Sequence, residues 1–169
     1  MLKPIVKFLK ALNGNVARSQ IAAGAAWGVL LGLVPAGNIF GIVLFIVSFF
    51  FNHNHGSKLI TLAIIKICSP LILIQLDVLG WNILTMEALQ PFFTNLYNMP
   101  FVPFTKFNNT LVAGGLAAGI ILWIPVFILF MILVPLYRNK ISPKIRETKL
   151  VKFIQKIPFL SIIDKAVRS

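Results

Sequence analysis

The sequence predicts an all-α, polytopic integral membrane protein with a Pro/Gly-broken helical hairpin, two further transmembrane helices and amphipathic interfacial helices at both ends. Three observations predict it. Of 169 residues, 58% are hydrophobic and 12% charged; the mean hydropathy is +0.90; and most of the net charge of +12 lies near the two ends. A soluble domain of this length cannot bury so much apolar side chain in one core. The small residues Ala22 to Ala26 precede the first apolar run, the reverse of a secretory cleavage signal, so the N-terminus is expected to be retained.

Residues 1–14, MLKPIVKFLKALNG, set Lys3, Lys7 and Lys10 at helical spacing, with Leu2, Ile5, Leu9 and Leu12 on another face. That pattern describes a basic helix lying in the membrane interface. The membrane domain follows over 15–137 with apolar runs at 20–34, 39–51, 59–76 and 111–136. A straight crossing needs about 20 residues, so the first two runs are each too short and together too long for one passage. Pro35 lacks the amide hydrogen that continues a helix, and Gly37 and Asn38 suit a turn. Residues 20–51 are therefore expected to form a hairpin. Its short arms reach only roughly 20 Å, which favours a re-entrant hairpin whose broken backbone faces protein or a wet cavity.

Charge sets the orientation. Lys3, Lys7, Lys10 and Arg18 give residues 1–19 a charge of +4; Asp77, Glu87 and Lys106 give 77–109 a charge of −1; nine basic residues against Glu147 and Asp164 give 138–169 a charge of +7. The positive-inside rule then places both termini in the cytoplasm and the 77–109 loop outside. Lys58 is expected in the cytoplasmic loop 52–58. The tail repeats the basic amphipathic pattern in 149–157, where Lys149, Lys152 and Lys156 oppose Leu150, Phe153, Ile154 and Ile157. Both ends suit anchoring on anionic phospholipid, or docking of a cytoplasmic partner. Charge placed in this way is no nucleic-acid footprint.

An offset of 90 residues lays Ala23, Gly24, Pro35 and Phe40 over Ala113, Gly114, Pro125 and Phe130, a faint repeat of the kind seen in transporters. The second copy has no glycine or asparagine after its proline, so 111–136 is expected to be one kinked crossing. Gly24, Gly28 and Gly32 recur every four residues, and Gly115 and Gly119 repeat the spacing. Such faces let helix backbones approach closely, inside the chain or against a partner or second copy.

Lys66 lies near the middle of LITLAIIKICSPLILIQL, where a cation costs at least about 2.5 kcal/mol. A carbonyl freed at Pro35 or Pro70, a lipid phosphate, or snorkelling can compensate it; Asp77 is too far along the helix. Lys66, Pro35, Gly37 and Asn38 are the candidate lipid- or substrate-binding residues. Cys68 reads as a small core hydrophobe, and His53 and His55 as a solvated turn. No glycine-rich phosphate loop, serine elbow or paired carboxylate stands out, so neither enzyme, metal nor cofactor is expected. In the outer loop, Trp81, Tyr97 and several phenylalanines suit an interfacial belt or, with Trp81, a partner surface.

The run Gly24-x-x-x-Gly28-x-x-x-Gly32-x-x-Pro35-x-Gly37, with the hairpin and FNNT at 107–110, resembles a bacterial inner-membrane family defined only by a domain of unknown function. The likeness covers roughly residues 18–138. It implies no activity and no catalytic residues, but members like this one tend to be encoded beside large AsmA-like periplasmic proteins thought to carry lipid across the envelope. The resemblance therefore implies a membrane subunit that anchors, or feeds lipid to, such a partner. An independent small-solute or ion transporter using the hairpin and Lys66 is the alternative; an enzyme acting on a lipid-linked substrate has the least support.

Overall fold

The computed structural model describes residues 16–141, and every element among the described residues is helical. The expected interfacial helices at 1–14 and 149–157 lie outside them. Helix α1, Arg18–Leu33, ends because Val34 precedes a proline and is extended, with φ −70° and ψ 127°. Gly37 turns the chain at φ +85°. Asn38 then clasps both sides of the break: its side-chain amide donates to the Pro35 carbonyl at 2.9 Å, and its oxygen accepts from the Gly41 amide at 2.6 Å. From this cap, α2, Ile39–Val47, and a 3₁₀ turn, Ser48–Phe50, carry the chain back.

The return is complete. Asn54 donates its backbone amide to the Gln20 carbonyl at 2.9 Å, and the Ser57 hydroxyl donates to the Ile21 carbonyl at 2.8 Å. Helix α3, His55–Cys68, thus starts beside the start of α1 and runs parallel to it. Asn54 also caps α3 by accepting from the Ser57 amide at 2.8 Å. Asn54→Ala is expected to lower thermal stability in detergent by about 1 kcal/mol, and Asn54→Ser to restore most of it.

The sequence reading placed a span at 59–76 and a loop from 77; the helix instead begins at His55 and runs on. A 3₁₀ turn, Ser69–Ile72, leads straight into α4, Leu73–Leu84, making a 30-residue stretch from His55 to Leu84. Pro70 changes the α-helix to a 3₁₀ turn without stopping the stretch; the Ser69 hydroxyl donates at 3.1 Å to the Lys66 carbonyl that the missing proline amide leaves unpaired. Asp77 does not end the helix either, since the Thr110 hydroxyl donates to its carboxylate. The region read as an external loop holds another 3₁₀ turn, Glu87–Leu89, then α5, Gln90–Asn98, and a last 3₁₀ turn, Val102–Thr105.

Helix α6, Thr110–Leu136, is capped by Asn109, passes through Pro125 and Pro135, and widens into a π turn at Tyr137–Ile141. The offset repeat therefore joins unlike structures, a helix end at Pro35 and a helix interior at Pro125. Helix α6 runs antiparallel to α1: Gly119 meets Leu30, Ile21 packs with Val134, and the Arg138 guanidinium donates to the Val16 carbonyl at 2.8 Å. The 16 residues of α1 reach about 24 Å, against about 45 Å for the 30-residue stretch. The hairpin turn thus lies partway along the bundle.

Glycines set the spacing. A Cβ on Gly28 would lie 2.6 Å from the Lys58 carbonyl oxygen and 2.7 Å from the Thr61 Cβ, and one on Gly32 2.6 Å from Ile65. Gly24 meets the Asn54 carbonyl, Gly115 the Leu33 carbonyl, and Gly119 the Leu30 backbone. All five glycines proposed as a partner face are buried within the chain, which corrects that reading: α3 and α1 already occupy them. The outer faces are the apolar ones, with Leu71 81% and Phe50 85% exposed. Two stretches, His55–Leu84 and Thr110–Asn139, are long and apolar enough to cross a membrane.

Candidate functional site: a cleft beneath the hairpin turn

Lys58, Leu62 and Lys66 follow one another at four-residue spacing and so share one face of α3. Lys66 reaches the point where α1 stops. Its ammonium donates to the Val34 carbonyl, an acceptor free because no helix continues beyond it. Around this contact lies a cleft of about 220 Å³, bounded by Leu31 and Val34, the turn at 35–38, the α2 residues Gly41, Ile42 and Phe45, and the α3 residues Leu62 and Lys66. The four residues singled out from sequence, Lys66, Pro35, Gly37 and Asn38, all line it. Trp81 does not; it lies on α4, 59% exposed.

The cleft is mostly apolar, with one ammonium, the turn amides and the Asn38 side chain as its polar features. Residues 16–76 contain Arg18, Lys58 and Lys66 but no aspartate or glutamate. Asp77, the next acid along the chain, is engaged by Thr110. Lys66 therefore has a backbone carbonyl and no carboxylate as its partner among the described residues.

Sequence reasoning missed Lys58, which it assigned to a solvated loop. Lys58 is 0% exposed. Its ammonium donates to the Ser48 hydroxyl at 2.8 Å and lies 4.0 Å from the centroid of the Phe49 ring and 4.7 Å from that of Phe45. Ser48 can accept because its own hydrogen goes to the Phe45 carbonyl at 2.6 Å. The legible signal was a serine between two phenylalanines in an apolar run, with two lysines eight residues apart beyond it.

The histidine loop also differs from expectation. His53 is buried, stacked near Trp27 at 6.3 Å and edge-on to His55 at 4.7 Å between ring centroids. Burial above all, then the charge of Lys58 and the neighbouring His55, hold its pKa down to about 4, against an opposing pull from the Phe51 carbonyl. The neutral ring donates through Nδ1 to Phe51 at 2.8 Å, and Nε2 has no hydrogen-bond partner. His53 is thus a packed member of the hairpin base, not part of a solvated turn. Cys68, read as a core residue, is exposed, because it lies beyond Ile65, the α3 residue that meets Gly32, and α1 has ended at Leu33. No group of three or more potential metal ligands occurs among the described residues.

A second hollow, about 270 Å³, lies far from this cleft in sequence and is lined by Leu84, Gln90, Phe93, Thr94, Tyr97, Phe107 and Asn108. Its walls are uncharged.

No family model matches the chain, and no solved structure matches it. Over 158 residues it is 31% identical to an uncharacterized protein of Treponema pallidum (strain Nichols), an alignment spanning 94% of this chain and 98% of that protein.

Proposed function

We propose that this chain, which belongs to one family with the uncharacterized Treponema pallidum protein, is a non-enzymatic, multi-pass subunit of the bacterial inner membrane that holds acidic lipid in the hairpin cleft. We further propose that it anchors, or passes that lipid to, a large AsmA-like periplasmic partner. The observation that carries the lipid reading is the cleft itself: an apolar-walled hollow holding the Lys66 ammonium in a stretch of chain that supplies no acid. A half-buried cation in an apolar setting is costly unless something neutralises it, and a lipid phosphate supplies both the charge and the hydrocarbon.

The size fits this use. At about 220 Å³ the cleft is below the roughly 300–1,000 Å³ of pockets that enclose a whole small molecule. It suits a headgroup and the first methylenes, with the tails lying along the apolar exterior. The orientation has support as well: the start of α1, the start of α3 and the end of α6 share one end of the bundle, where Arg18 and Arg138 sit, and basic ends favour the cytoplasmic side. The partner reading rests on the family resemblance and on the exposed Trp81 toward the other end.

Purification from native membranes in mild detergent, with identification of bound lipid and protein, tests the proposal. Acidic phospholipid is expected to co-purify above its share of the bulk membrane, and Lys66→Met to reduce it at least about tenfold, the cost of one lost charge-assisted contact. Recovery of this chain alone, carrying lipid in bulk proportions, would sink both parts. Flux of a small solute in proteoliposomes of the purified chain, lost in the same variant, would favour a transporter instead.

A further inference from the structure

The Lys66 cleft shares a wall with the buried cation Lys58. Phe45 lines the cleft, and its ring lies 4.7 Å from the Lys58 ammonium, so one aromatic side chain stands between Lys58 and the hollow. Lys58 and Lys66 are eight residues apart on one face of α3, about 12 Å along the axis. Leu62 lies between them and lines the cleft.

A methionine or leucine at position 58 would fill the space between α2 and α3 without a buried charge, and apolar replacement of a buried ion is often neutral or stabilising. Packing alone therefore does not account for a lysine. Nor does ion pairing, because residues 16–76 carry no acid and Lys58 is met by a hydroxyl and two ring faces. What the charge does is raise the positive potential along the same wall that presents Lys66.

We propose that Lys58 is a specificity-determining residue of the cleft, making it favour a doubly negative phosphomonoester headgroup over a singly negative phosphodiester. The inference rests on the reading of the cleft as an anion-binding site. A single dianion there answers two cations that otherwise repel each other through a medium of low polarity. At roughly 10 Å and an effective dielectric near 20, each further ligand charge is favoured on the order of tenfold.

The test uses the full-length protein in nanodiscs containing phosphatidic acid and phosphatidylglycerol with identical acyl chains, the bound lipid being read by native mass spectrometry. The wild type is expected to prefer phosphatidic acid at least about tenfold at about pH 8, and less below about pH 6, where a phosphomonoester loses its second charge. Lys58→Gln is expected to lower that preference on the order of tenfold, to what Lys66 alone supplies, and Lys58→Arg to keep it. A preference unchanged in Lys58→Gln, or a wild type that shows neither preference nor pH dependence, overturns the inference while leaving the cleft reading intact.

If Lys58→Gln does not fold, Lys58→Met, which fills the same space without the charge, takes its place with the same expected loss of preference. Binding of both lipids unchanged in Lys66→Gln would instead remove the cleft reading itself. Glycerol 3-phosphate separates the sources of the dianion: failure to displace bound phosphatidic acid supports a lipid headgroup, and displacement supports a soluble phosphate ester at the same charge-selective site.

Discussion

Gly114→Leu is expected to abolish the folded bundle. At this position α6 crosses α4 with backbone against backbone: a Cβ on Gly114 would overlap the Leu76 carbonyl and lie 3.0 Å from the Gly80 nitrogen, and one on Gly80 would overlap the Thr110 carbonyl and lie 2.8 Å from the Gly114 nitrogen. Overpacking against side chains costs about 1–3 kcal/mol because they can move aside. A helix carbonyl cannot, so the loss here exceeds about 3 kcal/mol. The adjacent glycine has another partner, since Gly115 lies 2.5 Å, by the same measure, from the Leu33 carbonyl on α1. Gly114 and Gly115 thus hold α6 against two helices at once. Detergent-extracted yield of monodisperse protein and its melting curve give the readout, with Ile120→Leu at an exposed position as the control. A Gly114→Leu protein that melts within about 1 kcal/mol of the wild type would rule out this crossing.

Acidification from neutral pH to about 4 is expected to loosen the base of the hairpin through His53. In the folded protein this ring, 7% exposed, takes up a proton only near pH 4, whereas an unfolded histidine does so at about 6.5. Between those values the unfolded chain binds more protons, so the stabilisation is fully present above about pH 6.5 and is lost as pH falls toward 4. The separation corresponds to at most about 3 kcal/mol. His53→Phe retains a ring beside Trp27 and removes the titration. Thermal melts of both proteins across this range provide the measurement: the wild type should lose stability on acidification relative to His53→Phe, and equal slopes would exclude His53 as the responsible group.

Much of the hairpin was legible because backbone chemistry dictated it. Pro35 has no amide to donate, Gly37 adopts a positive φ, and Asn38 has the side chain to close both ends of the break. The cleft residues came from the same source, since an interrupted helix frees a carbonyl and Lys66 had to find an acceptor. What escaped was tertiary. NHNHGSK looked like a loop because its residues are polar, yet Asn54 is a cap, Ser57 a cross-helix donor and Lys58 a buried cation. Asp77 looked like the end of a span, but an acid with the Thr110 hydroxyl at hand can remain on a helix. Gly80 stood alone in sequence and gained meaning only when Gly114 lay opposite. The spaced glycines were visible, but period alone does not tell an internal neighbour from an external one.

The parallel placement of α1 and α3, with the returning arm between them in sequence, has a consequence for biosynthesis. When the ribosome has delivered Phe51, the first helix is complete while the flank bearing Gly24, Gly28 and Gly32 still has nothing to meet; the residues that fill it, from Asn54 to Ile65, emerge only afterwards. Under the proposed multi-pass insertion, the translocon holds a half-built hairpin, with the Val34 carbonyl still lacking Lys66, until the next segment arrives. Nascent chains arrested between those two points should be the ones that crosslink to membrane insertases.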